Sequence, residues 1–295
     1  MLRNLYFLLS SIPVVAVAQS QIQAVMNAAS FESGLPSGGA LATLFVTGVT
    51  TAPGIYVAPL GQPLPFSLGG VGVYVNYGAA PILAVIVPAS GQSGMTQINF
   101  QVPMERNVSL EVNTSGQPLF PGVVGIDGTG VLGSPTIALP AQPVWGGFFA
   151  QAGGYAVALH ASDRSLVTTQ SPAEPGETII AYADDFFGVW PPSPIAIPLP
   201  QGVISPFQQG DRGNGTNLYL QNAPGPAACG LPYPLQVNFE GLAQGMVGVE
   251  EVDFVVPSGQ QPGNWQLYFG ISSPGGTGGG CSSSTSPYVL LPVGE

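Results

Sequence analysis

Hydrophobic and polar positions alternate along this chain in short runs. Ile98, Phe100 and Val102 fall on one face of a predicted strand, with Gln97, Asn99 and Gln101 on the other. Further on, Val252, Phe254 and Val256 take the apolar face and Glu251 and Asp253 the outer one. A period of two marks a half-buried antiparallel strand. Pro103 and Pro257 follow these runs. Proline cannot donate to a ladder, so each strand should end there or run out to an edge. About six or seven such runs in each half, punctuated by Gly and Pro, predict an all-β immunoglobulin-like sandwich. A closed barrel is the alternative. Beyond the first residues, no stretch carries apolar side chains at i, i+3, i+4 and i+7 over a useful length, so helices are not expected.

The runs recur. Val73-Tyr-Val-Asn-Tyr77, followed by residues 97–103, reads as returning in Leu235-Gln-Val-Asn-Phe239, followed by 251–257. Residues 39–45 match 176–182, and 134–140 match 286–292, in the same order in both halves. The period is far longer than any solenoid repeat, which points to duplication of a whole domain. Two tandem β-sandwich domains are expected, over residues 19–142 and 143–295. Residues 144–161 are uncharged, but Gly146-Gly147 and Gly153-Gly154 interrupt them. They predict a hairpin of 145–151 and 155–160 turning at Ala152-Gly-Gly, not a membrane span. The proline-dense stretch 191–200 should be extended.

The opening residues read as an export signal over 1–18. Arg3 is followed by an apolar stretch and by Ala16-Val-Ala18, the small residues of a cleavage site. Cleavage after Ala18 would leave a mature chain beginning at Gln19, secreted or held at the cell surface or in the periplasm, with no transmembrane segment. That chain keeps Arg106, Arg164 and Arg212 against 15 acidic residues, a formal charge of −12, and has no lysine. Such a surface repels polyanions, which excludes nucleic acid as a partner. Glycine (42) and proline (31) approach levels found in disordered chains, but the 45% hydrophobic content in alternating runs argues for folding.

The chain is poor in catalytic chemistry. His160 is the only histidine, no G-x-S-x-G elbow is present, and without lysine there is no Schiff-base nucleophile. His160 ends a predicted strand before Ala161-Ser-Asp-Arg164, which suits a structural role. Cys229 and Cys281 are expected to pair in a secreted chain, closing a loop of about 50 residues for about 4 kcal/mol. One histidine and two cysteines do not make an ordinary zinc site, and no cofactor or metal is expected. Asp184, Asp185 and Asp211 are oxygen donors that a calcium ion could use, with solvated turns as the plainer reading. Phe186, Phe187 and Trp190 form an aromatic loop beside Asp184 and Asp185. Rings so placed can stack on sugars, or they can cover the end of a core. A glycoside hydrolase needs two carboxylates at a set separation, which sequence cannot measure.

Several of these blocks together resemble a family of bacterial exported domains, the Solibacter-type C-terminal domain. They are Asn27-Ala-Ala-Ser-Phe31, residues 69–76, 96–103 and 158–166, and Pro172-Ala-Glu-Pro-Gly-Glu177. The resemblance spans nearly the whole mature chain. It implies export and tandem immunoglobulin-like domains, and it implies no activity and no catalytic residues. Where the family usually turns through Thr-Gly-Leu-Gly, this chain has Ala183-Asp-Asp-Phe-Phe-Gly188. The expectation is a non-enzymatic extracellular protein that meets another protein or a polysaccharide, in adhesion or an envelope structural role. A carbohydrate-binding module using loop 184–192 is the alternative, and a glycoside hydrolase a distant one.

Overall fold

A computed structural model of the protein describes residues 20–75, 78–89, 94–103, 109–113, 136–138, 146–185, 216–221, 235–273 and 282–295. Among the described residues all regular structure is β, and no helix is long and apolar enough to cross a membrane. The export signal, the cysteine pair Cys229 and Cys281, the rings Phe186, Phe187 and Trp190, Asp211 and stretch 191–200 lie outside the described residues.

In the first half, β1 (Gln21–Asn27), β2 (Leu41–Thr47), β7 (Thr96–Gln101), β6 (Ile82–Val87) and β3 (Gly54–Val57) pair in that order. A second sheet runs β5 (Gly78–Ala80), β4 (Gly72–Val75), β8 (Ser109–Asn113), β9 (Thr136–Ala138). In the second half, β10 (Gly147–Phe148), β12 (Thr178–Asp184), β15 (Glu250–Val255) and β14 (Val237–Leu242) form one sheet, and β11 (Ala158–His160) also pairs with β12. The last sheet centres on β16 (Gly263–Ser273), flanked by β13 (Thr216–Gln221), β17 (Ser282–Thr285) and β18 (Val289–Val293). Among the described residues no ladder joins the two halves.

Each half closes around one apolar cluster fed by both of its sheets. Val73, Val75 and Ala80 meet Leu44, Ile98 and Phe100 in the first half. Leu218, Leu267 and Leu291 meet Ile179, Val252 and Phe254 in the second. The alternation read from sequence is the cause: Ile98, Phe100 and Val102, and likewise Val252, Phe254 and Val256, are fully buried. Each such side chain contributes about 2 kcal/mol. Both strands stop before their prolines, β7 at Gln101 and β15 at Val255.

The pairing registers of the halves correspond. Thr43 lies opposite Asn99 and Phe45 opposite Gln97. At the matched positions, Ile180 lies opposite Asp253 and Tyr182 opposite Glu251. One sequence match is corrected. Val237 and Phe239 face Phe254 and Asp253 across a bulge, as Ile82 and Ala84 face Phe100 and Asn99 across a bulge. Residues 235–239 therefore correspond to 80–84, not to 73–77. The place of Val73-Tyr-Val75 is taken by Leu218-Tyr-Leu220, because β13 flanks β16 as β4 flanks β8. Period-two runs resemble one another in composition, and it is the bulge that sets their register.

The hairpin turn predicted at 152–154 forms, with Gly153 and Gly154 at φ of 86° and 79°. Its arms do not lie side by side over their length. β10 and β11 lie end to end on one edge of β12, opposite residues 183–184 and 179–181. Glycines bring the halves together. A Cβ on Gly147 would sit 2.9 Å from the Ser30 Cβ, and one on Gly248 2.8 Å from Leu41 Cδ2. Gly146 is tighter still, since a Cβ there would meet the backbone oxygens of Asp184 and Asp185 at 2.3 Å. Gly146→Ala should cost about 3 kcal/mol by overpacking. Gly259→Ala, with nothing within 4 Å, should stay within about 0.5 kcal/mol of the parent. Urea denaturation midpoints of the two variants check this.

Candidate functional site

A bend is built twice from the same hydrogen bonds. In the first half Ala40 N–H donates to Ser37 O (3.1 Å), Gly39 N–H to Val102 O (2.8 Å) and Val102 N–H to Ala40 O (2.8 Å). In the second half Glu177 N–H donates to Glu174 O (3.0 Å), Gly176 N–H to Val256 O (2.8 Å) and Val256 N–H to Glu177 O (2.8 Å). Gly39 and Gly176 take φ of 90° and 87°, which a side chain would strain. Each bend leaves the N–H at its first residue in need of an acceptor. Glu174 N–H finds it locally, in Glu177 Oε2 at 2.9 Å. The first half has Ala40 where the second has Glu177. Its Ser37 N–H instead donates to Asp185 Oδ2 of the other half at 2.9 Å, and Leu41 N–H to Asp184 Oδ1 at 2.9 Å.

These two aspartates end β12 in a dry corner. Asp184 is fully buried and Asp185 nearly so. Asp185 holds a left-handed φ of 55°, a conformation that aspartate tolerates better than most residues. Burial pushes the Asp184 pKa well above the ordinary carboxylate range. The neighbouring charge of Asp185 adds to the rise, as does Glu250, while Leu41 N–H and the Asn27 amide pull the other way. Asp184 Oδ2 and Asn27 Nδ2 make no regular hydrogen bond. The Asn27 oxygen is occupied, accepting Ala29 and Ser30 N–H at 2.8 Å each, which shapes the Asn27-Ala-Ala-Ser turn. The acid pair read as a ligand or calcium loop is thus placed at the junction, where each carboxylate accepts a backbone N–H of the other half.

The second acidic site surrounds His160. Its Nδ1 is 2.7 Å from Glu177 Oε1, and its Nε2 is 3.1 Å from Ser171 O and 3.3 Å from Ser171 Oγ. Serine, histidine and a carboxylate in sequence have the outline of a hydrolytic triad, but the acceptor oxygens set against both ring nitrogens oppose that use. Burial pulls the His160 pKa down. The hydrogen bonds to Glu177 and Ser171 and the charges of Glu177 and Asp163 outweigh it, and the net shift is upward. An imidazolium donates through both nitrogens. Glu177 Oε1 and Ser171 O are both acceptors, so these contacts favour that form, in which Nε2–H donates and does not take a proton from Ser171. The cluster lines a cavity of about 440 Å³ with Asp163, Glu174 and Glu295 on its walls. Glu177 therefore serves both Glu174 N–H and His160, a role that sequence reading missed.

A third group lies on the outer face of β12 and β15. Glu251 and Asp253 are two residues apart on one strand, so their Cα atoms are about 6.7 Å apart. Burial, and then the Glu251 charge, raise the Asp253 pKa to about 6, against the pull of Arg164. Burial also raises Glu251. Neither residue lines the cavity at His160 or the apolar cavity at the junction. Among the described residues no group of three or more His, Cys, Asp or Glu is placed to hold a metal ion.

The chain matches no protein family model, no curated protein and no solved structure.

Two pH effects follow. The folded pKa of Asp184 exceeds its ordinary 3.8, so its contribution to stability is greatest in acid and is lost as pH rises from about 3.8 through the raised value. Asp184→Asn keeps an acceptor for Leu41 N–H and should remove that loss. Asp184→Ala should cost about 2 kcal/mol by orphaning the N–H. Denaturant titrations at several pH values separate the two. His160, raised above 6.5, stabilises fully below pH 6.5 and loses that contribution as pH rises through its folded pKa. Calorimetry should show the Tm of the parent falling over that window, and His160→Gln should flatten the fall.

Proposed function

We propose that the protein acts outside the cytoplasm as a non-catalytic interaction module. It is a joined pair of immunoglobulin-like sandwiches that meets another extracellular protein in adhesion or an envelope structural role. The observation that carries this reading is the hydrogen-bond geometry at His160, whose ring nitrogens lie 2.7 Å from a carboxylate oxygen and 3.1 Å from a carbonyl oxygen. The arrangement that most resembles a catalytic triad sets an acceptor oxygen against each imidazole nitrogen, which suits a clamp better than a base. The acid pair at the end of β12 supports the same reading, because its oxygens hold the first half's backbone. What remains for function is surface. That surface is acidic over the second half, which holds 11 of the 15 acidic residues, four of them (Asp184, Asp185, Glu240 and Glu250) buried, and apolar along part of the first.

Affinity electrophoresis of the mature protein through a panel of plant and bacterial polysaccharides, paired with assays for reducing-sugar release, tests the proposal. The expected result is unretarded migration and no hydrolysis. Retardation by one glycan that Trp190→Ala abolishes would replace the proposal with a carbohydrate-binding module. Sugar release that Asp253→Asn abolishes would replace it with a hydrolase.

A further inference from the structure

From Ser33 to Met104 the chain carries no charged side chain, although its net charge is −11. Large apolar side chains of that stretch are exposed together where the halves meet. β3 is the outer strand of its sheet, and its Ile55 and Val57 are 73% and 60% exposed. Leu60, on the turn that follows, is 95% exposed. Next to it the halves enclose an apolar cavity of about 250 Å³, lined by Ala58, Leu64, Leu83, Met246 and Val247, with Leu60 at its edge. A cavity of about 150 Å³ takes a benzene molecule, so this one has room for a leucine side chain.

The same strand has an open edge. Ala58 N–H donates to Leu83 O at 2.9 Å, and the register continues with Tyr56 opposite Val85 and Gly54 opposite Val87. Bonded and non-bonded pairs alternate in an antiparallel ladder, so the backbone groups of Ile55 and Val57 point away from β6. Among the described residues no strand takes them up. Edge strands are commonly guarded by charge, and β3 has none.

We propose that the occupant of this face is a second copy of the chain. A two-fold axis passes beside the turn that follows β3, so that Leu60 of each protomer enters the apolar cavity of the other, and the exposed Ile55 and Val57 flank the contact. Two observations select this occupant. Knob and hole lie on one patch, as an isologous contact requires. Charge points the same way. A basic partner would be drawn to the acidic second half, whereas two copies of an acidic chain meet at least cost where neither is charged. The inference rests on the reading of the protein as an interaction module and names the partner of its apolar face.

Sedimentation equilibrium of the mature protein from about 1 μM to about 1 mM tests it. A monomer–dimer equilibrium is expected. Leu60→Asp should weaken it at least ~10-fold by placing a charge in the apolar contact, and Met246→Lys at the cavity wall should weaken it similarly. Both side chains are exposed, so the monomer should melt as the parent does. A monomer at every concentration would overturn the proposal, and so would open-ended polymers, since two-fold pairing closes at two. A dimer indifferent to both substitutions would overturn it as well. Polysaccharide retardation would displace the interaction reading without changing the mass measured here, so the two failures are distinguishable.

Discussion

A single backbone N–H, repeated at equivalent bends, organises this molecule. The bend that feeds the central strand of each half bonds its own carbonyls and leaves its first N–H, at Ser37 or Glu174, in need of an acceptor. Ser37 N–H is part-buried and Leu41 N–H beside it is buried, and a buried donor without an acceptor costs more than most surface contacts return, whereas Glu174 N–H lies at the surface. The second half supplies a carboxylate three residues along, at Glu177. The first half, with alanine there, draws on Asp185 across the junction. The close glycine contacts at Gly147 and Gly248 make that reach possible, since a side chain at either would push the halves apart. The contact between the two halves thus supplies the acceptors that the first bend lacks.

The same constraint accounts for the electrostatics. Carboxylates are gathered where backbone donors need them, and gathering them in dry places raises their pKa values. Asp184 carries the largest burial, with Asp185 and Glu250 beside it. Among the described residues His160 is the basic side chain paired with Glu177, which is already committed to the bend, and Arg164 acts on Glu251 and Asp253. Between Ser33 and Met104 the first half has no charge of its own to place. Its donors are served by backbone, amides and the carboxylates of its neighbour. Thr43 and Gln97 both donate to Asn99, where the second half has the acids Glu251 and Asp253 on the corresponding strand.

How far this could be read in advance depends on the range of the signal. Alternation is local, so the apolar faces of β7 and β15 were legible down to individual side chains. Glycine pairs are local too, and the turn at 152–154 followed from them. Register is not local. The match of 73–77 with 235–239 rested on similar composition, while the bulges opposite Phe100 and Phe254 show that 80–84 is the true counterpart. The fate of Asp184 and Asp185 was less legible still. Two adjacent aspartates after a strand look like a solvated turn, and only the approach of Ser37 and Leu41, more than 140 positions away, makes them buried acceptors. Glu177 left one clue, alanine against glutamate between otherwise matching bends, and it gains meaning only once the shared hydrogen bonds are seen.

The borrowed acceptor at Ser37 also bears on heredity. A domain that satisfies its own backbone can be copied into other genes and still fold. The first half, separated from Asp184 and Asp185, would exchange the carboxylate acceptors of Ser37 and Leu41 N–H for water and bare the apolar surface around them. The second half, which caps its own bend through Glu177, carries no such debt at that position. A split between the halves therefore costs the first more than the second at this bend, which ties the inheritance of the first half to that of its neighbour.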